Sequence, residues 1–363
     1  MIIIFLDLIV FIIFLSTLIY CLARFWEYFE TGPTNQDRTD FIWTQDGHRI
    51  AVHRYFTGTK TEGQPVILCH GLAGNRFIFD LKNSPSLAEF LKTRNRDVWV
   101  PELRGSGYSG RPGILLTDSP LKWNFDDHLN YDVSAIINHV IKETGSKSVH
   151  WVGHSMGGML IEAYLARNQG SQLTSAIAIG SPADFSAMGD YPFKRIMGAK
   201  PALKIFPFNP MIPLTKCVFL FYKFFPKFPS AFFCLENIDA GVMKKIVAIG
   251  TELISSSGLW QDMARFLEEG KFEDPEGRPY LKGLESSATP LLAMCGTKDR
   301  VAPRASALSV CATSSASCVR ESALMGKESG CKSDYGHVDL LLGVRAHEEV
   351  FPIIENWLKR WDS

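Results

Sequence analysis

The alternation of apolar and polar residues predicts strands and helices along most of the chain. Residues 41–44 and 49–56 alternate on either side of Asp46 and Gly47, which predicts an antiparallel hairpin. After this hairpin the pattern changes to short runs that are apolar at every position. These runs are 66–69, 98–100, 149–152, 176–179 and 291–295. Continuous apolar strands are typical of a parallel sheet that is covered on both faces.

Helical periodicity occupies intervals between these strands, at residues 86–93, 132–144 and 346–361. Residues 183–287 interrupt the alternation, and the stretch 206–233 within them is rich in phenylalanine and proline. We therefore predict a helical cap at 183–287, inserted between two parts of an α/β core at 40–182 and 288–363. The cap phenylalanines either form the core of the cap, or line an acyl tunnel or contact a membrane.

The first 23 residues carry one charge, Asp7, and are otherwise dominated by apolar residues. At about 1.5 Å per residue, a helix of this length spans the roughly 30 Å hydrocarbon core of a bilayer. A cleaved signal peptide would have a basic start and a shorter apolar stretch. The sequence therefore predicts a transmembrane anchor at 1–24 and a polar linker at 25–39.

Charge gives a weaker indication of topology. Arg24 and Arg38 follow the apolar segment and no basic residue precedes it, which favours a cytoplasmic location for the C-terminal domain. The 38 basic residues are balanced by 38 acidic ones, so the composition does not indicate a nucleic-acid partner. The eight cysteines have no metal-binding spacing, and Cys318 and Cys331 could pair if the domain were exported.

The strongest chemical motif is Gly153-His154-Ser155-Met156-Gly157, which follows directly after the apolar run 149–152. A strand, a Gly-x-Ser-x-Gly turn and a helix together form a nucleophile elbow, which presents the serine hydroxyl on a sharp turn. The helix that begins after the serine directs its N-terminal dipole at the site. Ser155 is therefore the candidate nucleophile.

The C-terminal part of the chain offers a base and an acid for this serine. Asp299 follows the apolar run 291–295, so we expect it at the carboxyl edge of the sheet. His337 lies in a loop ahead of an apolar helix, and the order Ser155, Asp299, His337 is the order used on such sheets. Asp339 is a rival acid that is disfavoured because it lies so close to His337 in sequence.

The turn after the run 66–69 is a candidate oxyanion hole. There the backbone N–H groups of Leu72 and Met156 would be the two donors, with His70 and Gly71 supporting the loop. His70 is assigned a structural role rather than that of the base.

These residues together resemble the α/β-hydrolase superfamily over about residues 40–363. Within it, three stretches resemble the acid-lipase branch: Asp97 to Arg104-Gly105, Phe125-Asp126-Asp127-His128 with Tyr131-Asp132, and Gly336 to Leu340. The resemblance implies hydrolysis of lipid esters. The cap sequence does not match that branch, and the cleaved signal and the glycosylation sites of its secreted members are also missing here.

The sequence thus predicts a membrane-anchored serine hydrolase. It would cleave carboxylic esters of hydrophobic acyl groups through an acyl-serine intermediate and would need no metal or organic cofactor. Acyl transfer or thioester cleavage on the same triad is an alternative, and a catalytically silent receptor or scaffold is an alternative of another class. The sequence does not indicate an oligomeric state.

Overall fold

The computed structural model describes residues 35–58, 61–110, 122–167, 170–189, 229–252, 256–313 and 318–362, together with six isolated residues between 18 and 28. The predicted anchor at 1–24 lies almost entirely outside this set, as does part of the linker. Among the residues that are described, no helix combines the length and the apolar composition needed to cross a bilayer.

The described strands form one eight-stranded sheet. In chain order the strands are β1 (Arg38–Trp43), β2 (Arg49–Tyr55), β3 (Val66–Cys69), β4 (Val98–Glu102), β5 (Val149–His154), β6 (Leu173–Ile179), β7 (Leu291–Gly296) and β8 (Arg320–Met325). Across the sheet their order is β1-β2-β4-β3-β5-β6-β7-β8. The pairs β1·β2 and β2·β4 are antiparallel and the remaining pairs are parallel. The sheet is therefore mostly parallel, as predicted.

Helices cover both faces of this sheet. The longer ones are α1 (Leu87–Lys92), α2 (Val133–Thr144), α3 (Met156–Ala166), α4 (Ala240–Ile249), α5 (Ser257–Glu269) and α6 (Phe351–Trp361). One buried cluster joins α2, α3 and α5 to the sheet. A second cluster joins α1, α4 and α6 to the opposite face. Apolar side chains on both faces explain why the central strands are apolar at every position.

The predicted cap falls between β6 and β7, and the structure describes it in part. Helices α4 and α5 belong to it, whereas the phenylalanine-rich stretch 206–228 lies outside the described residues. Three described phenylalanines of the predicted cap form one aromatic cluster with Phe125 and Tyr280, in which neighbouring ring centroids are 4.7–6.0 Å apart. These three are Phe185, Phe266 and Phe272. Their role is to form the core between cap and sheet, since all three are buried.

Candidate active site

Ser155 occupies the turn between β5 and α3. Its backbone has φ +53° and ψ −120°, a conformation that L-residues rarely adopt. The turn is held by hydrogen bonds at both ends of the residue. The N–H of Ser155 donates to the carbonyl of Ile179 on β6 at 2.8 Å, and its own carbonyl accepts the N–H groups of Gly158 and Met159. The strand–turn–helix arrangement predicted from the motif is present.

The glycines of the motif are required by close backbone contacts. A Cβ at Gly153 would collide with the backbone of Gly157, and a Cβ at Gly157 would collide with the carbonyl of Cys69 at the end of β3. The helix can therefore begin directly beside β3 only because both positions lack a side chain.

His337 and Asp299 meet at the carboxyl edge of the sheet. Asp299 follows β7 and His337 follows β8, and Nδ1 of His337 lies 2.9 Å from Oδ2 of Asp299. The other carboxylate oxygen of Asp299 accepts the backbone N–H groups of Val301 and Ala302, both at 2.8 Å. Because a carboxylate only accepts, Nδ1 of His337 carries the proton in this pair and Nε2 is left available as a base.

Two residues connect this pair to Ser155. Gly180 follows Ile179, the residue that accepts the N–H of Ser155, and a Cβ on Gly180 would lie 3.1 Å from both Nδ1 of His337 and Oδ2 of Asp299. His154, which precedes Ser155, places its Nε2 3.1 Å from the carbonyl oxygen of His337. The structure therefore brings the three residues predicted as a triad to one place.

His154 itself is poorly suited to proton transfer. Its Nε2 must donate to the His337 carbonyl, and the two imidazole rings are 4.7 Å apart. Burial, followed by the nearby His337, lowers the pKa of His154 well below its ordinary value. His154 is thus a neutral ring that supports the loop of His337.

Asp339, the rival acid, is occupied elsewhere. Its carboxylate accepts the backbone N–H groups of Gly336 and Cys234, each at 2.9 Å, and the side-chain amide of Asn237 at 3.3 Å. Burial nevertheless raises its pKa to about 6. Asp339 therefore ties the loop of His337 to the cap segment around Cys234, whereas Asp299 is the acid that contacts the imidazole.

The loop predicted to form the oxyanion hole, residues 70–74 and called the oxyanion loop below, lies against the serine. A Cβ on Gly71 would lie 2.7 Å from Cβ of Ser155 and 3.2 Å from its Oγ. Nε2 of His70 accepts the N–H of Leu103 at 3.0 Å, so Nδ1 carries the proton and donates to the carbonyl of Gly71 at 2.8 Å. Both ring nitrogens of His70 are used, and burial lowers its pKa. This arrangement agrees with a structural role for His70.

The two predicted oxyanion donors flank this contact. Leu72 follows Gly71 in the loop. Met156 is the first residue of α3, and the first N–H groups of a helix have no partner within it. Both groups belong to the backbone, so their positions depend on the loop and the helix rather than on the Leu72 and Met156 side chains.

Segments of the predicted cap range, residues 183–287, contact both loops of the site. The N–H groups of His337 and Val338 both donate to the carbonyl of Phe232 at 3.0 Å. On the other side, Asn75 donates to the carbonyl of Ile249 at 2.7 Å, and the N–H of Glu252 donates to the carbonyl of Ala73 at 2.7 Å. The described cap segments therefore position the histidine loop and the oxyanion loop together.

Sequence patterning does not reveal the contributions of His154, Gly180 and the Phe232 carbonyl. Each acts through a contact between residues that are distant in sequence, and Phe232 acts through its backbone alone. For His154, its position inside the Gly-x-Ser-x-Gly motif is the one sequence feature that indicates a place near the serine.

Known proteins resemble this chain in sequence over part of its length and in fold over most of it. Residues 64–195 match a family model described as the alpha/beta hydrolase fold. Human gastric triacylglycerol lipase is 37% identical over 125 residues, which are 32% of this chain and 31% of that lipase. Lipase 1 of Drosophila melanogaster is 36% identical over 119 residues, 32% of this chain and 26% of that protein. The aligned part thus spans about a third or less of these relatives.

Solved structures share the fold over most of the chain. An esterase from Thermogutta terrifontis has a TM-score of 0.56 at 20% identity and covers 90% of this chain and 100% of its own. A membrane phospholipase A has a TM-score of 0.55 at 16% identity, with 99% of both chains covered. The chain is therefore similar in sequence to lipases over about a third of its length, and it shares the α/β-hydrolase fold with a solved esterase over most of it.

Proposed function

We propose that this protein is a serine hydrolase that cleaves carboxylic esters of hydrophobic acyl groups. The observation that carries the proposal is the hydrogen-bonded pair of His337 and Asp299, connected through Gly180 and His154 to the elbow at Ser155. A nucleophile, a base and an acid that orients the base are the three parts that acyl transfer through serine requires.

In the first half of the reaction, Oγ of Ser155 attacks the ester carbonyl carbon while Nε2 of His337 takes the hydroxyl proton. The negative charge that develops on the carbonyl oxygen is stabilised by the N–H groups of Leu72 and Met156. Asp299 keeps the imidazole in the tautomer that leaves Nε2 free and stabilises the imidazolium. The carbon–oxygen bond to the alcohol then breaks, and His337 protonates the departing alcohol.

In the second half, His337 takes a proton from a water molecule that attacks the acyl-serine. The tetrahedral intermediate again uses the N–H groups of Leu72 and Met156. Its collapse releases the carboxylic acid and returns the proton to Oγ of Ser155. The cycle consumes one water molecule and one ester and requires no redox partner.

The preference for hydrophobic acyl groups rests on the phenylalanine-rich cap sequence and on relatives named as triacylglycerol lipases. We further propose that residues 1–24 anchor the enzyme in a membrane, with the catalytic part on the cytoplasmic side. Support for the anchor comes from the single charge in the first 23 residues, and support for the orientation comes from the arginines that follow them.

The mechanism is tested with a fluorophosphonate probe and a series of p-nitrophenyl esters from acetate to palmitate. Wild type should be labelled and should prefer the longer esters. Ser155→Ala should lose labelling and at least about 10³-fold in kcat, whereas the exposed-site control Ser171→Ala should match wild type. Equal labelling of Ser155→Ala, or an unlabelled wild type, contradicts the enzyme proposal. A strong preference for acetate contradicts the hydrophobic substrate class.

A further inference from the structure

A second histidine–aspartate pair lies beside the oxyanion loop and has no part in the mechanism above. His128 and Asp132 begin and end a π-helical turn, directly before α2. Nδ1 of His128 lies 2.8 Å from Oδ2 of Asp132, and both side chains are buried. Single π-helical turns inside α-helices occur frequently at functional sites.

The charge state of this pair follows from its surroundings. Nε of Arg104 donates to Oδ1 of Asp132 at 2.8 Å, and the Arg104 backbone N–H donates to Oδ2 at 3.2 Å. Burial opposes ionisation of Asp132, but the hydrogen bond from His128 and the charge of Arg104 outweigh it and lower the pKa. Asp132 is therefore a carboxylate that only accepts, so Nδ1 of His128 carries the proton that it donates.

The other ring nitrogen of His128 has no hydrogen-bond partner among the described residues. His128 is only 1% exposed, so bulk water does not compensate for this. A buried polar atom without a hydrogen-bond partner destabilises the fold. For this reason, buried polar atoms in native proteins are usually bonded to a protein group or to an ordered water molecule.

His128 lines a small cavity that also borders the oxyanion loop. Its walls include His70 and Gly71 of that loop, Met156 at the start of α3, and Leu259 of the cap. The space open to the centre of a water molecule is about 20 Å³, and roughly 10–15 Å³ is enough to hold one. The wall also includes Ser106, so a water molecule there would find polar partners besides His128.

We propose that this cavity holds one fixed water molecule, which hydrogen-bonds to Nε2 of His128 and fills the space between His128 and the oxyanion loop. His128 is then a positioning residue for ester hydrolysis, and this part rests on the function proposed above. A loop that carries an oxyanion donor must be held closely, because a displacement of about 1 Å can cost about 10²-fold in rate.

Two substitutions distinguish the roles of the two ring nitrogens of His128. Asparagine places an N–H where Nδ1 of histidine lies, so His128→Asn keeps the bond to Asp132 and loses the partner of the water. Glutamine places a polar group where Nε2 lies, so His128→Gln keeps that partner. We expect kcat to fall about tenfold in His128→Asn, with KM within about twofold. His128→Gln should stay within about threefold of wild type.

A crystal structure of the full chain at about 1.8 Å or better should show a single water within hydrogen-bond distance of Nε2 of His128. No density at that place overturns the water site. Equal kcat in His128→Asn and His128→Gln, both folded by thermal unfolding, overturns the positioning role. If wild type hydrolyses no ester, the proposed function fails, while the crystallographic result still decides the water site.

Discussion

Ser155 combines a strained backbone with several restraints. A non-glycine residue at such dihedral angles costs about 1–3 kcal/mol. The hydrogen bond from its N–H to Ile179, and the two that its carbonyl accepts from α3, fix the residue between the centre of the sheet and a helix. Gly71 and Gly157 leave room for the turn, because a side chain on either would reach Ser155 or β3. The strain is therefore maintained by buried residues of the sheet and of α3.

At the same scale, Asp299 and Asp339 make a matched pair for substitution. Asp299→Asn should lower kcat by about 10⁴-fold, because an amide N–H₂ facing Nδ1 favours the tautomer with the proton on Nε2. Asp339→Asn should keep most of the activity but lower the stability, since an amide nitrogen cannot accept from Gly336 or Cys234. Steady-state kinetics and thermal unfolding of both variants test this. Large loss of kcat in Asp339→Asn at unchanged stability would reverse the assignment.

At the scale of elements, the hydrophobic pattern predicts secondary structure best for segments that are buried along their whole length. The central strands are buried on both faces, and they appear where the apolar runs indicate. The edge strand β8 was not predicted because it opens with Arg320 and Glu321 and is only partly buried, so its composition resembles a loop. The predicted C-terminal helix at 346–361 is divided near Val350, and Pro352 lies in the first turn of α6, where its missing N–H is tolerated.

The end of α6 is attached to the sheet by Asp362. Its carboxylate accepts from Arg96 at 2.7 Å and from the N–H of Gln64 at 2.9 Å, and it lies 3.0 Å from Nε2 of His150 on β5. Burial works against ionisation, but the hydrogen bonds from His150 and Arg96 outweigh it, so the pKa of Asp362 lies well below its ordinary value. This contact therefore stabilises the packing of the last helix against the sheet.

The pKa of Asp362 is lower in the folded state than in the unfolded state, where it is about 3.9. The hydrogen bonds of its carboxylate therefore stabilise the fold fully above about pH 3.9, and this stabilisation is lost as the pH falls from there towards the folded-state pKa. Asp362→Asn should cost about 1–3 kcal/mol of unfolding free energy at pH 7. The difference from wild type should shrink in acid. Urea unfolding of both proteins between pH 7 and pH 3 measures this difference in unfolding free energy. Glu285→Gln, which neutralises an exposed carboxylate, is the control. A difference that grows on acidification contradicts the assignment.

For the whole molecule, the parallel arrangement gathers the site at one edge of the sheet. Ser155 follows β5, Asp299 follows β7 and His337 follows β8, and these strands are neighbours or nearly so. The order of the three residues could be predicted because topology carries successive strand ends to the same edge. The contacts of the predicted cap with both site loops could not be predicted from the sequence. They depend on backbone groups of Phe232, Ile249 and Glu252, and backbone groups have no sequence signature.

The proposed membrane anchor, residues 1–24, can be removed without removing the part of the chain that packs on the catalytic fold. Trp26, just after it, packs against the buried cluster that contains α1, α4 and α6, so a deletion of residues 1–24 leaves this contact in place. We expect the full chain to stay with membranes after an alkaline carbonate wash and to be extracted by detergent. The deletion variant should be released, with kcat on a short soluble ester within about threefold of wild type, because the site residues are all far along the chain from 1–24.

A substitution inside the segment provides the control for this deletion. Arginine at the centre of a membrane helix costs about 2.5–3.5 kcal/mol, so Ile13→Arg should weaken membrane retention while leaving the soluble-ester kcat unchanged. Protease added to sealed, cytoplasmic-side-out vesicles should digest the catalytic part if it faces the cytoplasm. Release of the full chain by carbonate alone would show that residues 1–24 do not span the bilayer, and it would leave ester hydrolysis at Ser155 to be decided by the probe.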